Sequence, residues 1–186
     1  MALFSCSSPE PVKIGFIGTI SGKNSEVAVA VRNAVQMKID EVNQGSGING
    51  RQLSFHVYDN EGDARKCEQQ FEAMFKDDIQ IVLGPVFSQM AEATLNAVKD
   101  KDVIVVSPTM STDILSNRDD NIFRTTFSAS GQAEKLAEYA ARNQIKTVAV
   151  VYDLGNAKYT EGVYQRFKAV CEKKNIRFPY VKPVLL

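Results

Sequence analysis

The sequence predicts an α/β fold in which a flavodoxin-like parallel sheet forms a first lobe and an incomplete second α/β lobe follows. Three observations carry this. Runs such as Ile79-Gln80-Ile81-Val82-Leu83, Val103-Ile104-Val105-Val106 and Val148-Ala149-Val150-Val151 are short, mostly β-branched and nearly continuous in apolar residues. Strands buried on both faces, as in parallel sheets, read this way. Segments of helical periodicity fill the intervals, and glycine, proline or hydroxyl residues punctuate the ends. A strand, a helix and a second strand in that order make a βαβ unit, which is parallel and right-handed.

Taken in order, the elements begin with an apolar strand over 12–17, closed by Gly18-Thr19-Ile20-Ser21-Gly22. A helix over 25–43 follows, with Ala28, Val31, Val35, Ile39 and Val42 at i+3/i+4 spacing. The glycines of Gly45-Ser46-Gly47-Ile48-Asn49-Gly50 end it. Residues 52–58 alternate as a second strand, and Asp63 is placed to cap a helix that turns Ala64, Cys67, Phe71 and Met74 inward. Next come strand 79–83, a helix over 88–100 with Ala91, Leu95 and Val98 on one face, and strand 103–106. A short strand (122–126), a helix (132–143), a strand (147–152) and a helix (159–174) complete the pattern. The tail from 176 contains Pro179 and Pro183 and gives only a weak strand signal. The predicted organisation is a leader over 1–11, a first lobe over 12–126 and the start of a second over 127–186.

Composition narrows the function classes. Lys and Arg number 22 against 22 Asp and Glu, so no charge excess points to nucleic acid or an anionic membrane surface. The single histidine, His56, sits in a strand-like run and reads as a half-buried sheet residue, and no paired-cysteine motif suggests a metal. Cys67 and Cys171 fall on apolar helix faces and read as buried free thiols. No cofactor motif is present: Gly18–Gly22 lacks both G-x-G-x-x-G and a P-loop lysine. Asp59, Glu61 and Asp63 read as turn and capping residues rather than a carboxylate dyad, and no G-x-S-x-G elbow activates a serine.

What remains is a pair of hydroxyl clusters, Phe87-Ser88-Gln89 and Ser107-Pro108-Thr109-Met110-Ser111-Thr112, each at the carboxyl end of a predicted strand. Open α/β sheets hold ligands at that edge. Ser88 has two readings there: a plain helix N-cap, or the opening of an anion site in which helix N–H groups act with Ser111 and Thr112.

Five segments in order carry a family resemblance: 12–15 through Ser21-Gly22, Gly47-Ile48-Asn49-Gly50-Arg51, Tyr58-Asp59, Gly84-Pro85 and Ser107-Pro108. Together they resemble the periplasmic leucine/branched-chain amino-acid-binding proteins of ABC transporters, which have the type I solute-binding fold, over residues 12 to about 175. The resemblance implies two lobes that close on a ligand. It implies that Ser88 gives hydroxyl and backbone donors to an α-carboxylate, that Ser111 assists, and that the Thr109 carbonyl accepts from the α-ammonium. It further implies that Tyr159, in Lys158-Tyr159-Thr160-Glu161-Gly162, closes over the ligand from the second lobe, and that Phe87 lies at the site. Val27 stands where an aromatic is common, and Phe87 and Gly62 where some members carry a cysteine pair. The acidic partner of the ammonium is expected further along the second lobe, beyond Leu186.

The expected function is therefore an extracytoplasmic solute-binding protein of an ABC transporter, or a fragment of one, for a small carboxylate such as a branched-chain amino acid. Its expected partners are that ligand, an ABC permease and a second copy of the chain docked through the incomplete lobe, with no nucleic acid. A sensor or receptor domain of the same fold is the alternative, and an α/β enzyme is a more distant one. Leu3-Phe4-Ser5-Cys6 followed by Ser7-Ser8 resembles the end of a bacterial lipoprotein signal, with Cys6 acylated and the protein periplasmic or extracellular. A flexible cysteine-bearing leader is the other reading of that segment.

Overall fold

The computed structural model describes residues 9–185. Cys6 lies outside the described residues, and residues 9–11 carry neither helix nor strand. Five parallel strands follow: β1 (Val12–Gly18), β2 (Leu53–Asp59), β3 (Ile81–Leu83), β4 (Ile104–Ser107) and β5 (Ile122–Arg124), in the order β2-β1-β3-β4-β5. This is the flavodoxin-like order, with its switch point between β1 and β3.

Both faces of this sheet are apolar, because alternate residues of each strand serve opposite layers. Phe16 joins Ala28 and Val86, with Val31 and Phe55, under α1 (Ser25–Gln44). Its neighbour Ile17 joins Cys67, Phe71, Met74, Val82 and Val105 under α2 (Ala64–Lys76) and α3 (Ala91–Val98). Phe71 and Met74 are fully buried, and each such side chain contributes about 1.5–3 kcal/mol of transfer free energy. Ala64, expected inward, is exposed, since it sits in the first turn before α2 meets the sheet. The expected 88–100 helix is a 3-10 turn (Ser88–Met90) followed by the shorter α3.

The second unit comprises α4 (Ala129–Arg142), β6 (Thr147–Asp153), α5 (Ala157–Glu172) and β7 (Arg177–Val184), with β6 and β7 paired in parallel. α4 starts three residues earlier than its periodicity predicts because Ser128 caps it, its hydroxyl oxygen accepting from Gly131 N at 3.1 Å. The buried alanines Ala137 and Ala140 let α4 lie close to Cys171 and Ile176 around a small core. The weakly signalled tail forms an eight-residue strand. Its register shifts between Thr147 and Ala149, opposite the stretch containing Pro179, and Pro183 sits opposite Tyr152. Proline is tolerated there because β7 is an edge, with no further strand paired to it among the described residues. On this sheet Val151 and Tyr180 are 61% and 51% exposed.

Candidate functional site

The family-like segments first explain the local architecture. Gly47-Ile48-Asn49-Gly50-Arg51 is a tight turn: Ile48 and Arg51 exchange backbone hydrogen bonds of 2.8 and 3.0 Å, with Asn49 and Gly50 at φ 51° and 77°. Glycine and asparagine tolerate those angles. At the sheet edge, the Ser107 hydroxyl donates to Pro85 O at 2.7 Å and accepts from Met110 N at 3.0 Å. Gly84 N donates to Val106 O at 2.9 Å. Gly84-Pro85 and Ser107-Pro108 are thus two sides of one joint that fixes the loops after β3 and β4 against each other.

That joint sets the position of Ser88. The N-cap reading of Ser88 fails: the 3-10 turn has no side-chain cap, and Phe87 is its boundary residue. The buried Ser88 oxygen instead accepts from Ser111 N at 3.2 Å, tying the two loops together. Having accepted, its hydroxyl still has a proton to donate. Thr109 Oγ1 donates to Val86 O at 2.5 Å and Ser111 O accepts from Ala129 N at 2.6 Å, so the second unit is anchored to the same loop. Asp113 holds Ser130 through its backbone N–H (3.2 Å) and its hydroxyl (2.6 Å). Further out, Lys158 Nζ reaches Glu92 Oε1 at 2.8 Å, joining α5 to α3.

Between these elements lies a cavity of about 390 Å³ that brings Phe87, Ser88, Thr109, Ser111 and Tyr159 to one place. Val27, Val86, Thr126, Gln132 and Asn156 line it as well, and no lining side chain carries a formal charge at neutral pH. Thr112, the further hydroxyl expected beside Ser111, does not line it; its carbonyl accepts from Arg124 Nη1 at 2.9 Å. The Tyr159 phenol donates to Gln132 Oε1 at 3.1 Å, and Gln132 Nε2 donates to Phe127 O at 3.3 Å. Gln132 and Asn156 escaped the sequence reading. Gln132 stands at the start of the helix expected over 132–143 and carries no functional signal there, and Asn156 falls before the helix expected over 159–174, which begins at Ala157. The volume suits a small molecule, and the polar groups are hydroxyl, amide and backbone donors and acceptors rather than paired charges.

The acidic segment beside the edge is structural. Asp59 accepts from Ile20 N at 3.1 Å and Glu61 N at 2.8 Å, Asp63 caps α2 by accepting from Lys66 N at 2.8 Å, and Glu61 pairs with Lys66. Burial pushes the Asp59 carboxyl up, but hydrogen bonds from Ser21, Glu61 and Ile20 outweigh it and hold the group below its usual range. Burial drives the Cys67 thiol up to about 12, so it stays protonated and inert. No group of three or more metal-ligating side chains occurs among the described residues, and no helix among them is long and apolar enough to cross a membrane.

Comparison with known proteins bears on this arrangement. The family model for periplasmic binding proteins matches residues 11–182. A Leu/Ile/Val-binding protein, BraC3, of Rhizobium johnstonii is 31% identical over 160 residues, covering 85% of this chain and 43% of its own length. A leucine-, isoleucine-, valine-, threonine- and alanine-binding protein of Pseudomonas aeruginosa is 25% identical, over 90% and 45%. The chain therefore spans about half the length of the curated relatives it matches. Among solved structures, the branched-chain amino acid transporter substrate binding protein LivJ of Streptococcus pneumoniae, in complex with isoleucine, superposes with a TM-score of 0.83 at 22% identity. That match covers 94% of this chain and 50% of LivJ. A Rhodopseudomonas palustris solute binding protein in complex with benzoate superposes at 0.82 and 18% identity, over 95% and 49%. These likenesses are of fold.

Proposed function

The chain belongs to the periplasmic binding protein family, and from that premise we infer that it binds a small carboxylate-bearing solute in the cavity between its two α/β units. The observation that carries the reading is the Ser88–Ser111 link: two strand-end loops held 3.2 Å apart by a hydroxyl whose own proton is free to donate. A carboxylate oxygen there would receive the Ser88 hydroxyl, with the Ser111 hydroxyl beside it and Tyr159 and Phe87 enclosing the remainder. The Thr109 carbonyl is the proposed acceptor for an ammonium. Branched-chain amino acids are the first candidates, because the relatives named above are described as binding them.

On this reading residues 12–126 and 127–186 belong to two lobes that close on the solute, and the protein delivers it to an ABC permease outside the cytoplasm. Cys6 is the proposed lipid-bearing residue, and a second copy docked on the β6–β7 unit is the proposed oligomer. The test is calorimetric titration with leucine, isoleucine and valine. Ser88→Ala is expected to weaken binding by about 1–3 kcal/mol, the range for stranding a charged hydrogen-bond partner. Unchanged affinity would exclude the clamp.

A further inference from the structure

Formal charge balances over the whole sequence, but the two units share it unevenly. Residues 127–186 hold 10 of the 22 Lys and Arg and only 5 of the 22 Asp and Glu. Half of those cations, Arg142, Lys146, Lys173, Lys174 and Arg177, sit in or beside the two turns that lead into β6 and β7. Turns of the same kind in the first unit mix the signs: Lys76-Asp77-Asp78 before β3, Lys99-Asp100-Lys101-Asp102 before β4 and Arg118-Asp119-Asp120 before β5. In the second unit Arg142-Asn143-Gln144-Ile145-Lys146 and Lys173-Lys174-Asn175-Ile176-Arg177 contain no acid.

The fold brings these two turns together. Arg177 N donates to Lys146 O at 2.9 Å where β7 enters beside β6. Glu138 is held below the usual carboxylate range chiefly by Lys135, and Arg142 and Lys174 add to that effect from their separate turns. All five cationic side chains are exposed, and none makes an ion pair or a side-chain hydrogen bond among the described residues. The helix dipole accounts for part of the set, since cations are favoured at the carboxyl ends of α4 and α5, where Arg142 and Lys173 stand. That effect fades beyond the last turn, and it gives no reason for Lys146 and Arg177 at the strand entries.

Exposed apolar side chains mark the same place. Both helices end on a left-handed residue, Gln144 at φ 56° and Asn175 at φ 59°. The following N–H bonds back into the helix, Ile145 N to Ala140 O and Ile176 N to Cys171 O, each at 3.0 Å. An apolar residue at this point ordinarily packs against its helix, as Ile176 does at 3% exposure, whereas Ile145 is 37% exposed. Tyr139, on the same face of α4 as Arg142, is 57% exposed. Unpaired cations around open apolar groups suit a bilayer surface, where charges meet headgroup phosphates and apolar groups enter the acyl boundary. A soluble polyanion would use the charges and leave Ile145 without a role. We propose that the amino-terminal edge of the β6–β7 sheet docks on an anionic phospholipid bilayer, with the five cations on headgroup phosphates and Ile145 and Tyr139 at the acyl boundary. The solute cavity lies beyond the opposite, carboxyl end of β6, at Asn156 and Tyr159, and neither surface uses the other's residues.

The experiment is flotation of the unacylated 186-residue chain with vesicles. Phosphatidylcholine alone is compared with an equal mixture of phosphatidylcholine and phosphatidylglycerol, at about 0.1 M salt, where charges beyond about 10 Å are screened. The chain should float with the anionic vesicles only. Each Lys or Arg at such a surface is worth about 1 kcal/mol, or about fivefold, so Lys173→Gln with Lys174→Gln should weaken binding about twentyfold. Lys76→Gln with Lys99→Gln, in the mixed-sign turns of the first unit, should change it by less than about threefold. Ile145→Ser should weaken vesicle binding severalfold and leave retention on heparin, a soluble polyanion, unchanged. Circular dichroism of each variant checks that these exposed substitutions leave the fold intact. Failure to float with anionic vesicles, equal flotation with neutral ones, or equal losses in the two lysine pairs would overturn the proposal. Vesicle binding indifferent to Ile145→Ser would assign the surface to soluble polyanions and overturn the bilayer as its partner.

Discussion

Gly84 shows how narrowly single residues fix the edge of the first sheet. Its φ is +104°, and a Cβ built there would lie 2.1 Å from Ile17 O, a backbone atom that cannot swing away. Gly84→Ala is expected to destabilise the protein by more than about 3 kcal/mol, beyond the range of ordinary substitutions, or to prevent folding, as thermal melts would show. Two titrating residues contribute to the pH dependence of stability. Tyr58 is pushed up from 10.0 to about 12, first by burial and then by its 2.7 Å hydrogen bond to Asp77 and that residue's charge. A raised folded-state value means its contribution is whole below pH 10 and lost as pH rises toward about 12. Denaturant melts of Tyr58→Phe should show a shallower alkaline loss than the unaltered protein. Asp59 has the opposite sign: held below its ordinary 3.8, it stabilises above that value and ceases to as pH falls through its folded-state value. Asp59→Asn should flatten the corresponding acid limb.

At the scale of elements, the helix caps are the simplest contributions to test. Asp63 and Ser128 each satisfy one N–H of the helix they precede, and replacing either by alanine should cost about 1 kcal/mol in denaturant melts. The sequence announced one and concealed the other. Asp63 is followed at once by the apolar face of α2, so periodicity and cap agreed. Ser128 is followed by Ala129-Ser130-Gly131, whose residues carry almost no periodic signal, so periodicity alone begins α4 three residues late. Central strands such as Ile81–Leu83 and Ile104–Ser107 were legible because apolar continuity has few other meanings. β7 was not, since its prolines signal interruption and only the partner strand β6 gives it a place. The site divided in the same way. Ser88 and Ser111 were visible from their strand ends, whereas Gln132 and Asn156 acquire their positions only when α4 and α5 come against the loops at the edge of the first sheet.

At the scale of the whole molecule, apolar surface is unevenly covered. On the first sheet Ile104 and Phe123 are 50% and 56% exposed, and on the second Val151 and Tyr180 are equally open. A parallel sheet ordinarily has both faces covered, and an uncovered apolar edge pairs with other chains. The 186-residue chain is therefore expected to self-associate, with an apparent mass in light scattering that rises with concentration. Val151→Lys, which puts a charge on the exposed face of β6, should lower it. A mass of one chain at all concentrations would oppose the docking proposed for the second unit.

The contact between Lys158 and Glu92 reaches beyond architecture. Both side chains are more than half exposed, so the pair contributes no more than about 1 kcal/mol, and dissolved salt can erase it. It joins the two units a single residue away from Tyr159, on the cavity wall. The reach of such a charge shrinks from about 30 Å at 0.01 M ionic strength to about 3 Å at 1 M. On the proposed solute-binding reading, residence time of a bound solute should therefore shorten as the medium becomes more saline, and Glu92→Gln should make its release less sensitive to added sodium chloride. If that reading holds, a solute would stay bound longer in fresh water than in brine.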